Sequence, residues 1–391
     1  MTVTQPKGFR ASGVAAGLKA SGNPDVALVV NDGPDFTAAG VFTGNRVKAA
    51  PVLWSQQVLK GGVIRAVVLN SGGANACTGS QGFRDTHSTA EHTATVLRTT
   101  GAKPVMIGPG DVAVCSTGLI GELLPMDKLL PGVNAAAKAL ATDGGPRAAE
   151  AIMTTDTVAK NAVAQREGWS VGGIAKGAGM LAPALATMLV VITTDASADN
   201  ETLDAALRAA TRVTFDRIDA DGCMSTNDTV LLLASGASDR QPTLAELTAA
   251  VTDVCHDLAQ QLIADAEGAT KHIAIEVAGA ASEADAVQVG RSVAGNNLVK
   301  TAFFGNDPNW GRILAAVGTT TAAFEPDRID VAINGVWVCR NGAAAEDRNK
   351  VDLSGRDVRV TIHLHEGEMN ATIWTTDLSH AYVHENSAYS S

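Results

Sequence analysis

Cysteine is scarce and scattered in this chain. Its five cysteines, Cys77, Cys115, Cys223, Cys255 and Cys339, form no C-x-x-C pair and are odd in number, which argues against both a disulfide scaffold and a zinc site. No nearby cation marks Cys115 or Cys223 as a lowered-pKa thiol, so all five read as incidental or buried residues. Long apolar runs are lacking too. None approaches the ~18 residues that suggest a membrane span, and the N-terminus shows no basic region leading into an apolar stretch, so a cytoplasmic protein is expected. Positive charge is in deficit: 30 Lys and Arg stand against 41 Asp and Glu, a formal net charge of −11. That balance disfavours a nucleic-acid surface or an anionic membrane and leaves small-molecule chemistry as the expectation. Repeats, low-complexity tracts and long linkers are absent as well.

What is present is a soluble, globular composition, 391 residues with 46% hydrophobic and 18% charged, long enough for two layers or domains. Short β-like runs at 26–30, 38–42 and 63–69 precede a helix expected over about 84–99. Further on, Leu247, Val251, Val254, Leu258 and Leu262 recur at helical spacing, and Thr243 with Glu246 forms a capping-box signature before them. Segments 273–277, 329–333, 358–364 and 371–374 alternate apolar with polar, as half-buried strands do. Turn-rich breaks fall at 143–146 and 195–200. The fold class expected is α/β in the layered α+β sense.

The most informative stretch is KGAGMLAPALATMLVVITTD, 176–195. A glycine- and alanine-rich approach ends at Thr187, and the apolar run 188–192 that follows is too short for a helix and rich in β-branched residues, so it reads as a buried strand. Taken alone, Thr187 is an ordinary strand residue. Cleavage of the Ala186–Thr187 bond would give it a free α-amine beside its hydroxyl, placing nucleophile and base in one residue. Such an amine titrates near ~7.7–8.0, suited to accepting and returning the hydroxyl proton.

Two rival readings overlap this stretch. Gly177, Gly179 and Ala182 satisfy G-x-G-x-x-G/A, but a dinucleotide fingerprint needs a helix to open at its glycines, and here a strand is expected instead. The same glycines lack the lysine and hydroxyl spacing of a P-loop. Elsewhere, Thr117 and Gly118 in CSTGLIG put a hydroxyl and an unhindered amide side by side. They read as a plain turn or, in an acyl-transfer enzyme, as donors to an oxyanion. His363 and His365 at strand spacing, and His380 and His384 at helical spacing, lack an acidic or thiol partner at ligand spacing. They are expected to be exposed, and no metal is expected.

GFRASG (8–13), IMTTDT (152–157), GGIAKGAGMLAP (172–183), ATML (186–189), EGATK (267–271), DPNWGR (307–312) and a terminal N-x-x-Y-x-S (386–391) occur together and in order. On these motifs the chain resembles the ornithine acetyltransferase family, the glutamate N-acetyltransferases of arginine biosynthesis, over essentially its whole length. The resemblance implies an ArgJ/DmpA-like, N-terminal-nucleophile-type fold with β-sheets packed against helices. It also implies self-cleavage between Ala186 and Thr187 into an α chain, 1–186, and a β chain, 187–391, assembled as α2β2. Thr187 is then the nucleophile, and Thr117 with Gly118 the oxyanion hole. Thr154, Lys176, Thr187, Glu267, Asn386 and Ser391 would bind N2-acetyl-L-ornithine and L-glutamate, with no cofactor. A cation such as Lys176 suits a substrate carboxylate and an anion such as Glu267 an ammonium. Without the resemblance Lys176 reads as a solvated lysine, Glu267 as a helix-end surface acid and Asn386 as a tail residue. Segment 307–312 is expected to be a loop shaping the active-site wall.

Departures from the family's usual pattern are Ala266 where glycine is commoner, Ser391 where threonine is common, and the Leu185-Ala186 pair. The resemblance leaves open whether acetyl-CoA is also a donor, with the ornithine-only form the first expectation. A hydrolase or aminopeptidase passing the acyl group to water is the alternative chemistry.

Overall fold

The computed structural model describes residues 2–100, 106–182 and 188–388. Ala186, Thr187 and Ser391 lie outside the described residues.

The strand Leu189–Thr194 shows how the layers form. All six of its residues are buried, but successive side chains of a strand point to opposite faces. Leu189 and Val191 enter one apolar core while Val190 and Ile192 enter another. A strand buried on both faces sits in the middle of a sandwich. Its sheet has five strands in the order Ala38–Phe42, Thr229–Ala234, Leu189–Thr194, Trp169–Lys176, Lys160–Arg166. A second sheet has four, Phe9–Val14, Val26–Asn31, Ala66–Asn70 and Val112–Ser116. In it Ala27 and Val29 join the core containing Leu189, whereas Val26, Leu28 and Val30 face away.

Helices Asn200–Val213 and Leu244–Ala264 cover the outer face of the five-stranded sheet, supplying Leu203, Leu207, Val254 and Leu258 to its core. Helices Gly79–Thr99 and Met126–Lys138 cover the outer face of the four-stranded one. The result is helices, sheet, sheet, helices, a four-layer arrangement in which every apolar face has a partner. A third sheet of six strands, including His272–Ala280, Asp357–His363 and Met369–Thr376, packs against helices Glu283–Ala294, Asn297–Phe304 and Trp310–Val317 around its own core.

Most expected elements occur, with shifted ends. The capping box is present: Thr243 Oγ1 accepts the Glu246 amide at 3.3 Å, while Glu246 Oε2 accepts the Thr243 amide at 2.8 Å. The strand expected over 63–69 is Ala66–Asn70. The helix expected from residue 84 begins a turn earlier, at Gly79, because its polar first turn carries no apolar periodicity to reveal it.

Two expectations need correction. Residues 307–312 are not simply a loop: Asn309 caps the helix Trp310–Val317, and Arg312 Nη1 donates to Leu298 O at 2.7 Å, so the segment joins two helices of the third-sheet unit. His363 and His365 do not share a strand face. His365 lies beyond the strand at φ +61°, stacks on the half-buried His363 with ring centroids 3.9 Å apart, and places Nε2 3.0 Å from Asp330 Oδ2. A carboxylate partner exists, but it comes from a neighbouring strand, where sequence spacing cannot show it. Among the described residues no group of three or more His, Cys, Asp or Glu is disposed to hold a metal, and no helix is long and apolar enough to cross a membrane.

Candidate active site

Lys176 ends the strand Trp169–Lys176 and pairs in register with Leu189, the second residue after Thr187 in the sequence. It is only 2% exposed, so the solvated reading fails. Its Nζ donates to Thr117 Oγ1 at 3.2 Å, which joins the AKG strand of one sheet to the CSTG turn of the other. Burial pushes the Lys176 ammonium below its ordinary value, Asp156 pulls it back up, and Lys160 adds to the depression.

The CSTG turn is firmly built. Val112–Ser116 runs parallel to Ala66–Asn70, and Thr117 N donates to Asn70 O at 3.0 Å. Asn70 also accepts from Ser116 Oγ at 2.6 Å and donates to Gly73 O at 3.0 Å, while Asn227 Nδ2 donates to Ser116 O at 2.8 Å across from the other sheet. The Thr117 amide is thus engaged in the scaffold and the hydroxyl is the group the turn can present. Gly118 sits at φ +127°, and a Cβ there would stand 2.6 Å from the backbone of Gly72 and Gly73, so only glycine fits. Cys115, buried on the preceding strand, has its thiol raised to about 12 by burial and is no nucleophile.

Thr154 lies in the loop before the strand Lys160–Arg166, and its amide donates to Asp156 Oδ2 at 3.0 Å. The other oxygen of Asp156 accepts the amide of Gly177, next to Lys176, at 2.6 Å and Lys160 Nζ at 2.7 Å. Burial works to raise the Asp156 carboxyl, but the Lys176 and Lys160 cations and its hydrogen bonds outweigh it and hold it at about 2.

Glu267 follows the helix Leu244–Ala264 in a tight turn and is half-buried, not a surface acid. Its amide donates to Ala178 O at 3.0 Å, and a Cβ on Gly179 would come within 2.6 Å of both its carboxylate oxygens. Gly179 thus leaves the space that the carboxylate of Glu267 occupies. Asn386, on the helix His380–Ala388, donates to Glu267 Oε2 at 2.9 Å. A cleft of about 520 Å³ runs between the two loops, lined by Thr155, Thr157, Asp265, Ala266, Glu267 and Glu385.

The structure thus brings Thr117, Gly118 and Lys176 together through a buried hydrogen bond, ties Thr154 to the Lys176 strand end through Asp156, and joins Glu267 to Asn386 at the surface. Sequence reasoning missed Asp156, Lys160 and Asp228. Asp228 accepts the Met188 amide at 3.1 Å, and burial lifts its carboxyl well above the usual range. It also missed Asp221, which accepts the Met180 amide at 2.8 Å and so anchors the glycine-rich loop beside the third-sheet unit. Only the DT spacing inside TTDT hinted at Asp156; the others lie far in sequence from what they touch.

A buried cation bonded to a strand-end hydroxyl, with a paired acid that lines a cleft and binds the glycine-rich loop following that cation, is an arrangement suited to a small-molecule site of the acyl-transfer kind. The ArgJ family model matches residues 10–391. A curated protein of Streptomyces coelicolor named arginine biosynthesis bifunctional protein ArgJ is 66% identical over 391 residues, all of both chains. A Thermobifida fusca protein of the same name is 63% identical over 390 residues, again across both full lengths. A solved structure of ornithine acetyltransferase complexed with ornithine, from Mycobacterium tuberculosis, is 59% identical and matches 48% of this chain and 96% of its own, with a TM-score of 0.46. The chain belongs to the ArgJ family, and it is an acyltransferase.

Proposed function

We propose that this chain is a glutamate N-acetyltransferase that moves the acetyl group of N2-acetyl-L-ornithine to L-glutamate through an ester on Thr187, in the cytoplasm. The observation that carries this reading is Lys176: a buried cation, 3.2 Å from the Thr117 hydroxyl, at the strand end that pairs with Leu189 just after Thr187.

The chain matures by self-cleavage between Ala186 and Thr187. Residues 1–186 and 187–391 remain associated, because Trp169–Lys176 and Leu189–Thr194 are neighbours in one sheet and their shared cores do not depend on the peptide bond. Two such pairs form an α2β2 enzyme.

The freed Thr187 amine takes the hydroxyl proton as Oγ attacks the acetyl carbonyl. The oxyanion is held by Thr117 Oγ1–H and the Gly118 amide; Thr117 Oγ1 accepts from Lys176, which leaves its own proton available to donate. The C–N bond of the acetylornithine breaks, the amine proton passes to the leaving nitrogen, and ornithine departs. Glutamate's α-amine then attacks the acetyl ester, the carbonyl carbon–Oγ bond breaks and a proton returns to Thr187. Lys176 and Thr154 hold the substrate carboxylate. Glu267 and Asn386 hold the side-chain ammonium of the ornithine, and Ser391 closes the site. No bound cofactor takes part.

Two relatives at 66% and 63% identity carry the word bifunctional in their names. That supports a second reading in which acetyl-CoA also loads Thr187, ahead of the ornithine-only form. Intact mass spectrometry of the denatured protein, with N2-acetylornithine and acetyl-CoA offered separately as donor, tests both; acetylation by acetyl-CoA supports the second reading and its absence the ornithine-only form. The expected result is two chains breaking at Ala186/Thr187, the β chain gaining one acetyl group from N2-acetylornithine and losing it to L-glutamate. A single uncleaved, unacetylated chain overturns the mechanism. Loss of the acetyl group to water alone supports the hydrolase instead.

A further inference from the structure

Three of the segments that build the site are joined by a buried chain of ionised side chains. Asp156 and Lys160 are four residues apart but not helical; their carboxylate and ammonium meet at 2.7 Å with both side chains fully buried. Lys160 Nζ also meets Asp265 Oδ2 at 2.6 Å, 105 residues away. Asp265 in turn accepts the Thr157 amide at 3.0 Å and its hydroxyl, and it stands two residues before Glu267. At the other end Asp156 takes the amides of Thr154 and Gly177. The Thr154 loop, the Lys176 strand end and the Glu267 turn are therefore fixed to one ion chain.

The charges around Lys176 distinguish its members. Facing it are Asp156, Lys160, Asp228 and Glu267, with Lys19 also within its field. Of these, Asp156, whose Oδ1 accepts the amide of the adjoining Gly177 at 2.6 Å, is the carboxylate tied to the Lys176 backbone and the one that acts on it most strongly. Asp228, deprived of solvent, has its carboxyl raised and is the weaker anion.

We propose that Asp156 is the counter-ion and positioning residue of Lys176, and that Lys160 and Asp265 hold it at a fixed distance from the Glu267 turn, so that the two charged ends of an amino-acid substrate meet a preset span. This rests on the reading of Lys176 as the carboxylate-binding residue. Asp156 touches no substrate; it keeps a desolvated lysine charged and aimed. Lys160 works against Asp156 at Lys176, being a second cation nearby.

The two residues therefore have opposite signatures. In Asp156→Asn, which keeps an acceptor for Gly177 N, Lys176 loses its proton about one pH unit or more lower. The KM for L-glutamate then rises by about tenfold at pH 8, with the alkaline limb of kcat/KM moved down. In Lys160→Met the same limb moves up. Selective ¹³Cε-lysine labelling reads the titration of Lys176 directly in the unliganded enzyme, with the signal assigned by its loss in Lys176→Met. That readout holds even if the substrates were misassigned, whereas wild-type acetylation by N2-acetylornithine tests the substrates separately.

Removing one member of a buried pair can unfold a protein, whereas neutralising both members often does not. The double variant Asp156→Asn/Lys160→Met is therefore run beside the singles, with thermal unfolding as the control on folding. A double variant that matures and melts like wild type but keeps a KM between those of wild type and Asp156→Asn supports the proposal. Equal titration of Lys176 in wild type and Asp156→Asn, shifts of the same sign in the two single variants, or full return of the wild-type KM in the double variant would overturn it, leaving the chain as structural packing alone.

Discussion

Two buried lysines, one on the five-stranded sheet and one in the third-sheet unit, have different fates. Lys300, on the helix Asn297–Phe304 of the third-sheet unit, donates to Ala220 O at 2.7 Å, Thr375 Oγ1 at 3.2 Å and Thr376 O. Its three N–H donors are matched by local acceptors. Burial still lowers it to about 8, with Asp219, Asp221 and Asp377 pulling the other way. Lys176 is as deeply buried, yet among the described residues it donates one hydrogen bond, to Thr117. A lysine whose donors are all engaged pins backbone together; one with donors left over in a dry site is set to receive an anion. Burial alone does not separate the two, and the acceptor count does.

The largest effect that could break this comparison is at Thr117. Thr117→Ala removes both the O–H donor and the acceptor for Lys176, and kcat for acetyl transfer should fall by about 10²–10³-fold with little loss of thermal stability, measured by single-turnover acetylation and by melting. A kcat within a few-fold of wild type would mean that the hydroxyl faces no developing charge.

The lysine pair sharpens it next. Lys300→Met should cost about 3 kcal/mol of stability by leaving buried carbonyls unmet, seen in denaturant titration, while the surviving enzyme keeps its KM. Lys176→Met should do the reverse, lowering kcat/KM for L-glutamate roughly 30-fold or more at nearly unchanged stability.

Acid sensitivity is a smaller effect. Asp156 is held at about 2 against an ordinary 3.8, so its contribution is complete above pH 3.8 and is lost as pH falls through that window. It amounts to about 2 kcal/mol, and Asp156→Asn should flatten that part of the stability curve.

Asp219 has the opposite sign. Burial raises it to about 6, so folding is penalised as pH rises from 3.8 through 6. Asp219→Asn, which keeps the acceptor for Gly222 N at 3.0 Å, should stabilise the protein by roughly 1–2 kcal/mol at pH 7 and by nothing at pH 3.5, as read by melting at the two pH values.

Local signals decided much of this protein from the chain alone. The helix Leu244–Ala264 was legible because Thr243, Glu246 and the apolar spacing act within a few residues of one another. Strand Ala38–Phe42 was legible for the same reason, whereas the CSTG turn, Lys176 and Glu267 were marked out by the family resemblance, their local patterns reading as a plain turn, a solvated lysine and a surface acid. The four-layer order was not legible, because a strand such as Leu189–Thr194, buried on both faces, loses the alternation that would tell which side meets which core. Nor could the chain reveal that Lys160 meets Asp265 across 105 residues, that Asn386 reaches Glu267 across 119, or that among the described residues Lys176 has donors left to offer while Lys300 has not. Residue identity fixes which charges are available, but which of them are paired, and which remain for a substrate, is set by the long-range contacts that only the folded layers create.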